Sequence, residues 1–79
     1  MLTAKIKGGF IMKISARNQL PGKVTEIIEG AVNASVTVDI GGGNKIVSTI
    51  SLSAVKELEL KVGSEVTAII KATSVLLGA

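Results

Sequence analysis

The chain contains no cysteine and no histidine. Without cysteine, no disulfide can staple the fold and no thiolate can hold a soft metal. Without histidine, the commonest transition-metal ligand and the usual neutral-pH general base are both missing. Tryptophan and tyrosine are absent too, and Phe10 is the only aromatic residue. A small barrel that holds single-stranded nucleic acid stacks bases on strand aromatics, so nucleic acid is not expected as a partner. No apolar run reaches the roughly 18 to 20 residues that cross a bilayer, and no apolar h-region follows the N-terminal lysines. No membrane association is expected, and the expected location is the cytoplasm.

What the chain has in excess is aliphatic. Hydrophobic residues make up 47% of the sequence, almost all of them Val, Ile, Leu and Ala, and mean hydropathy is +0.57. With 79 residues there is room for one small domain, which is marginal alone because so much of its surface stays exposed. An obligate homo-oligomer would absorb the surplus apolar surface and add core that one protomer lacks. Nine basic and six acidic residues give a net charge of +3. With no block of like charge, this amounts to a mild bias toward anions.

Residues 1–11 stand apart as an N-terminal extension. Lys7-Gly8-Gly9 can be encoded by AAA GGA GGT, a purine-rich ribosome-binding sequence, and Phe10-Ile11 would be the spacer before Met12. Translation is therefore expected to start at Met12. The competing reading is a genuine tail that frays or docks on a neighbour, as termini often do. The remainder, 12–79, reads as a single domain with no linker or repeat.

Its periodicity is that of strands. Ala34, Val36, Val38 and Ile40 alternate with Ser35, Thr37 and Asp39, a period of two with β-branched residues on one face. Gly41-Gly42-Gly43-Asn44 supplies positive-φ turn positions, and Ile46, Ser48, Ile50 and Leu52 alternate on the returning strand. Residues 13–19 read as a short strand, Pro21-Gly22 as a turn and 24–29 as another strand. Ser53 is expected to cap a short helix over 54–58. Residues 65–71 resume strand alternation, and 75–77 form a last short strand. The expected fold class is all-β, a small OB-like five-stranded barrel with one short helix.

Ser15-Ala16-Arg17-Asn18-Gln19 gathers a hydroxyl, a guanidinium and two amides just before Pro21-Gly22, and Lys71-Ala72-Thr73-Ser74 adds a cation and two hydroxyls. A tetrahedral oxyanion needs donors from several directions, and Ser15, Arg17, Asn18, Lys71 and Thr73 are such a set, with no metal cation as direct partner. The bland alternative is a polar strand edge facing water and a solvated lysine. Ser51 and Ser53 form a second candidate oxyanion site at a helix start, against the simpler reading of ordinary capping. The glycine triplet lacks the Lys-Ser/Thr and helix of a phosphate loop and reads as a hairpin turn. Asp39, Glu57, Glu59 and Glu65 read as solvated charge. No carboxylate pair is brought to a nucleophile, so no enzyme is expected.

From about Met12 to its end the chain resembles the Mop domain of molbindins, within the wider TOBE group. The resemblance rests on Ser15-Ala16-Arg17-Asn18-Gln19-Leu20, Gly22-Lys23-Val24, Gly42-Gly43-Asn44-Lys45-Ile46, Ile50-Ser51-Leu52, Ala54-Val55 and Lys71-Ala72-Thr73-Ser74-Val75, in the family's order. It implies that Ser15, Arg17, Lys71, Ala72 and Thr73 converge at subunit interfaces on molybdate or tungstate, Ala72 through its backbone, with Asn18 acting directly or as an orienting neighbour. It further implies a homohexamer built as a trimer of dimers, more than one class of oxyanion site, and a role in storage and homeostasis without a cofactor. The runner-up is a TOBE-type regulatory or interaction module that senses the same ligand beside a partner protein.

Overall fold

The computed structural model describes residues 15–79. The extension expected over 1–11 and the start of the strand expected over 13–19 lie outside them. In chain order the elements are β1 (Asn18–Glu29), β2 (Asn33–Gly41), β3 (Asn44–Ser51), α1 (Leu52–Glu57) and β4 (Glu65–Ile70), followed by a 3-10 turn at Ala72–Ser74. The strands form one sheet in the order β3-β2-β1-β4. The fold is mostly β with one short helix. Two compact units are distinguished: Leu20–Ala68, and one made of the chain's ends, of which 15–19 and Ile69–Ala79 are described.

Within Leu20–Ala68 the expected hairpin forms as read. β2 and β3 pair antiparallel from Asn33↔Ser51 to Gly41↔Asn44. Gly41, Gly42 and Gly43 have φ of 97°, 64° and 81°, values that glycine adopts without the Cβ clash other residues meet. Asp39 helps to close the turn, its Oδ1 accepting from the Gly41 amide at 2.8 Å. The inward residues Ala34, Val36 and Val38 are buried and join Val24 and Val55 in the core.

Three local expectations are corrected. Pro21-Gly22 is not a turn, because β1 runs through it for 12 residues. Proline cannot donate to a ladder, and toward β2 none is asked of Pro21, which precedes the β1–β2 register beginning at Lys23↔Asp39. Glycine at position 22 permits a close strand approach instead of a reversal: a Cβ there would lie 2.5 Å from the Asp39 carbonyl oxygen. Second, residues 75–77 form no strand, so four strands, not five, are present among the described residues. Leu76 and Leu77 are 91% and 94% exposed, so among the described residues they pack on no apolar surface that would offset the entropy of holding an extended segment in a sheet.

Third, the helix starts earlier than Ser53. α1 is capped by Ser51, whose Oγ accepts from the Ala54 amide at 3.1 Å, because the side chain three residues before the free N–H is the one that reaches it. Its C-terminus is closed by Leu60 N donating to Val55 O at 3.0 Å and Glu59 N donating to Lys56 O at 3.1 Å. Glu59 occupies the left-handed position with φ 53°. That is a Schellman closure with glutamate where glycine is usual, and Leu60 packs on the core beside Val55.

Strand β1 contains a bulge that sequence periodicity misses. Val24 pairs with Val38 and Glu26 with Thr37, leaving Thr25 as the extra residue; its Oγ1 donates to Thr37 O at 3.4 Å. An extra residue shifts the in–out alternation by one. Accordingly Val24 and Ile27, three apart, both pack on the core, while Glu26 is exposed.

Candidate functional site

The candidate residues near the two ends of the chain fall in one unit, 15–19 with Ile69–Ala79. Residues 15–17 are bent backbone, and the strand begins only at Asn18. Exposure still alternates through this segment: Ser15 and Arg17 are exposed, Ala16 and Asn18 half-buried. Ser15 and Arg17 thus share the exposed side of the segment, although it is not a strand before Asn18.

Beside the β1–β4 pairing, the side chain of Asn18 links the two candidate segments. Its Nδ2 donates to the main-chain oxygen of Ile70 at 3.2 Å, a partly buried bond between residues 52 apart in sequence. Ile70 is the last residue of β4, so Lys71 lies just beyond the strand, not inside it as periodicity suggested. Lys71 instead precedes the 3-10 turn Ala72–Ser74. The turn forms its own bonds from Ser74 N to Lys71 O at 2.8 Å and from Val75 N to Ala72 O at 3.3 Å. Those bonds leave the Ala72 and Thr73 amides uncommitted within the turn. Lys71, Ala72 and Thr73 are all exposed.

A second amide acts on the same pattern. Gln19 Nε2 donates to Ala16 O at 2.9 Å, holding the bend that carries Arg17. Residue type alone assigns Gln19 no role of its own. The one signal for it is spacing, since an amide side chain three residues after a carbonyl can close a turn on it. Arg17 and Lys71 thus stand on adjoining segments, each preceded by a carbonyl that an amide side chain holds.

Ser51 and Ser53 lie elsewhere, in the unit Leu20–Ala68. The Ser51 hydroxyl receives the Ala54 amide, and Ser51 Oγ and Ser53 Oγ are hydrogen-bonded at 3.2 Å. Ser51 caps α1, and both serines are exposed. Among the described residues, no group of three or more His, Cys, Asp or Glu side chains gathers to hold a metal ion, and no helix is long and apolar enough to cross a membrane.

Residues 14–77 match the TOBE domain family. The chain belongs to that family, and its relatives include molybdenum-pterin-binding proteins and Mop structures. It is 69% identical over 67 residues to a probable molybdenum-pterin-binding protein of Haemophilus influenzae, covering 85% of this chain and 97% of the relative. Among solved structures it is similar to MopII from Clostridium pasteurianum, with 54% identity, a TM-score of 0.80, and coverage of 85% of this chain and 100% of MopII. A molybdate-binding protein from Sporomusa ovata matches at 40% identity and a TM-score of 0.81, over 86% of this chain and 100% of that one.

Proposed function

We propose that this chain binds molybdate or tungstate as a free oxyanion, storing and buffering it in the cytoplasm without catalysis or a cofactor. The observation that carries the reading is the Asn18–Ile70 hydrogen bond, which joins the segment bearing Ser15 and Arg17 to the one bearing Lys71, Ala72 and Thr73. Hydroxyls, a guanidinium, an ammonium and turn amides are donors, whereas a tetrahedral dianion offers only acceptors. Two positive charges match its two negative ones, and binding relieves their mutual repulsion. The ligands named for the relatives support this reading. The bare oxyanion is favoured over a pterin conjugate because residues 15–79 contain no aromatic side chain to stack on a ring.

The donors are exposed on one protomer, and an anion held against open water gains little. We therefore place the completed sites where copies of the chain meet, in a homohexamer arranged as a trimer of dimers, each chain forming a single Mop-type domain over 12–79. Exposed Leu76 and Leu77 support such an assembly, in which 75–77 orders as the fifth strand of the OB-like barrel. Ser51 and Ser53 form the second class of site in this proposal, and Ser53→Ala then lowers the number of anions bound while leaving the affinity of the rest unchanged.

Calorimetric titration of molybdate into the oligomer, with sulfate and phosphate as competitors, tests the reading. Arg17→Ala and Lys71→Ala are each expected to weaken binding about 10- to 100-fold, the loss of a hydrogen bond to a charged group. An intact oligomer that takes up no molybdate overturns it.

A further inference from the structure

We propose that Asn18 is a positioning residue and not an anion ligand: its amide fixes the peptide plane between Ile70 and Lys71 and so holds the Lys71–Ser74 turn in its binding form. The inference rests on the oxyanion reading above and deepens it. Asn18 is half-buried while Ser15, Arg17, Lys71, Ala72 and Thr73 are exposed. Its Nδ2 is turned onto a main-chain oxygen at 3.2 Å. A side chain committed to a carbonyl 52 residues away in sequence acts on that backbone first.

The physical consequence follows from peptide geometry. No described peptide bond is cis, and in a trans peptide the C=O and the next residue's N–H point in opposite directions. Holding the Ile70 oxygen on Asn18 therefore turns the Lys71 N–H the other way. It also occupies a lone pair that would otherwise repel an incoming anion. Gln19 does the same one segment away, where its hold on the Ala16 oxygen sets the plane before Arg17. In both cases the carbonyl held is the one immediately preceding a cation. The two amides thus divide the work with the two cations: Arg17 and Lys71 attract, Asn18 and Gln19 keep the backbone from opposing them.

With the clamp removed, the turn samples other conformations, and the apparent affinity falls by the fraction of time it spends in the competent one. The test pairs molybdate titration with hydrogen exchange at the Ser74 and Val75 amides, in wild type, Asn18→Ala and Asn18→Asp; the aspartate keeps the shape but loses the Nδ2 donor. In the free oligomer, exchange at both amides is expected to speed up about tenfold, the worth of one hydrogen bond of this kind. Affinity is expected to fall as the competent fraction of the turn falls, and saturating molybdate restores wild-type protection.

Affinity lost with turn protection unchanged would make Asn18 a direct ligand and overturn the positioning role. Protection lost equally across the β2–β3 ladder would reduce Asn18 to a general stability residue, and overturns it as well. Failure of the wild type to bind molybdate, with the turn amides still responding to Asn18, instead sinks the oxyanion reading itself.

Discussion

Gly22 and Asp39 approach so closely across β1 and β2 that a Cβ on Gly22 would lie 2.5 Å from the Asp39 carbonyl oxygen and 2.7 Å from Cγ1 of Val38. A backbone oxygen cannot swing aside as a flexible side chain can. Gly22→Ala is accordingly expected to force the strands apart and cost about 1–3 kcal/mol, the range for overpacking a close contact. The smaller entropy of the unfolded alanine chain offsets under 1 kcal/mol of that. Urea unfolding measures the difference, and an unchanged midpoint would refute it.

Glu59 closes α1 from the left-handed region, with φ 53°, and its side chain is exposed. Glu59→Gly removes the Cβ clash at that position and leaves the Schellman bonds in place. The expected gain is about 0.5–1 kcal/mol, a rise of about 4 °C in Tm for a domain of this size. Scanning calorimetry would show it; a fall in Tm would mean that Glu59 makes a contact worth more than its strain.

Ser51 and Ser53 separate cleanly by substitution. Ser51→Ala removes the acceptor for the Ala54 amide and is expected to cost about 1 kcal/mol, the usual value of an N-cap. Ser53→Ala loses only an exposed hydroxyl pair and should lie within about 0.5 kcal/mol of wild type. Equal losses from the two in thermal unfolding would show that the cap is shared.

Leu76 and Leu77, the most exposed large apolar side chains described, test the proposed assembly. Leu77→Lys places a charge where the seam between copies would bury it, and sedimentation is expected to report smaller species than wild type gives. An unchanged oligomer would place the subunit contacts elsewhere.

The hairpin was readable in the sequence because two signals agree there, alternation from Ala34 to Ile40 and a run of glycines with the positive φ a tight turn demands. Strand β1 was not. Pro21-Gly22 carries strong turn chemistry, but a proline outside the register and a glycine needed for close approach are compatible with a continuous strand. The bulge at Thr25 changes the phase of burial from Val24 to Ile27, a shift that reading by a fixed period of two cannot follow. At the candidate site, the sequence offered Ser15, Arg17, Lys71 and Thr73 as hydrogen-bond donors and cations, which is the basis of the proposed anion site. That Lys71 leads a 3-10 turn was hidden, because Ile69-Ile70 continues an apolar pattern that only tertiary bonding ends. The partners of Asn18 and Gln19 were hidden for a related reason: Asn18 was readable as an orienting neighbour, but its acceptor and that of Gln19 are main-chain oxygens, and no sequence pattern marks which carbonyl an amide will meet.

The core of the larger unit is built from Val24, Ala34, Val36, Val38 and Val55, with no fully buried side chain larger than valine. Unfolding such a chain exposes little apolar area, and apolar exposure is what raises heat capacity. The increment for an isolated protomer should therefore fall below the usual value of roughly 12–15 cal/mol/K per residue. Its free-energy curve would be shallow over a wide temperature span, low at its summit and slow to decline on either side. In the proposed assembly, subunit contacts and bound anion would set the height of that curve, so melting temperature would gauge how much oxyanion the protein carries.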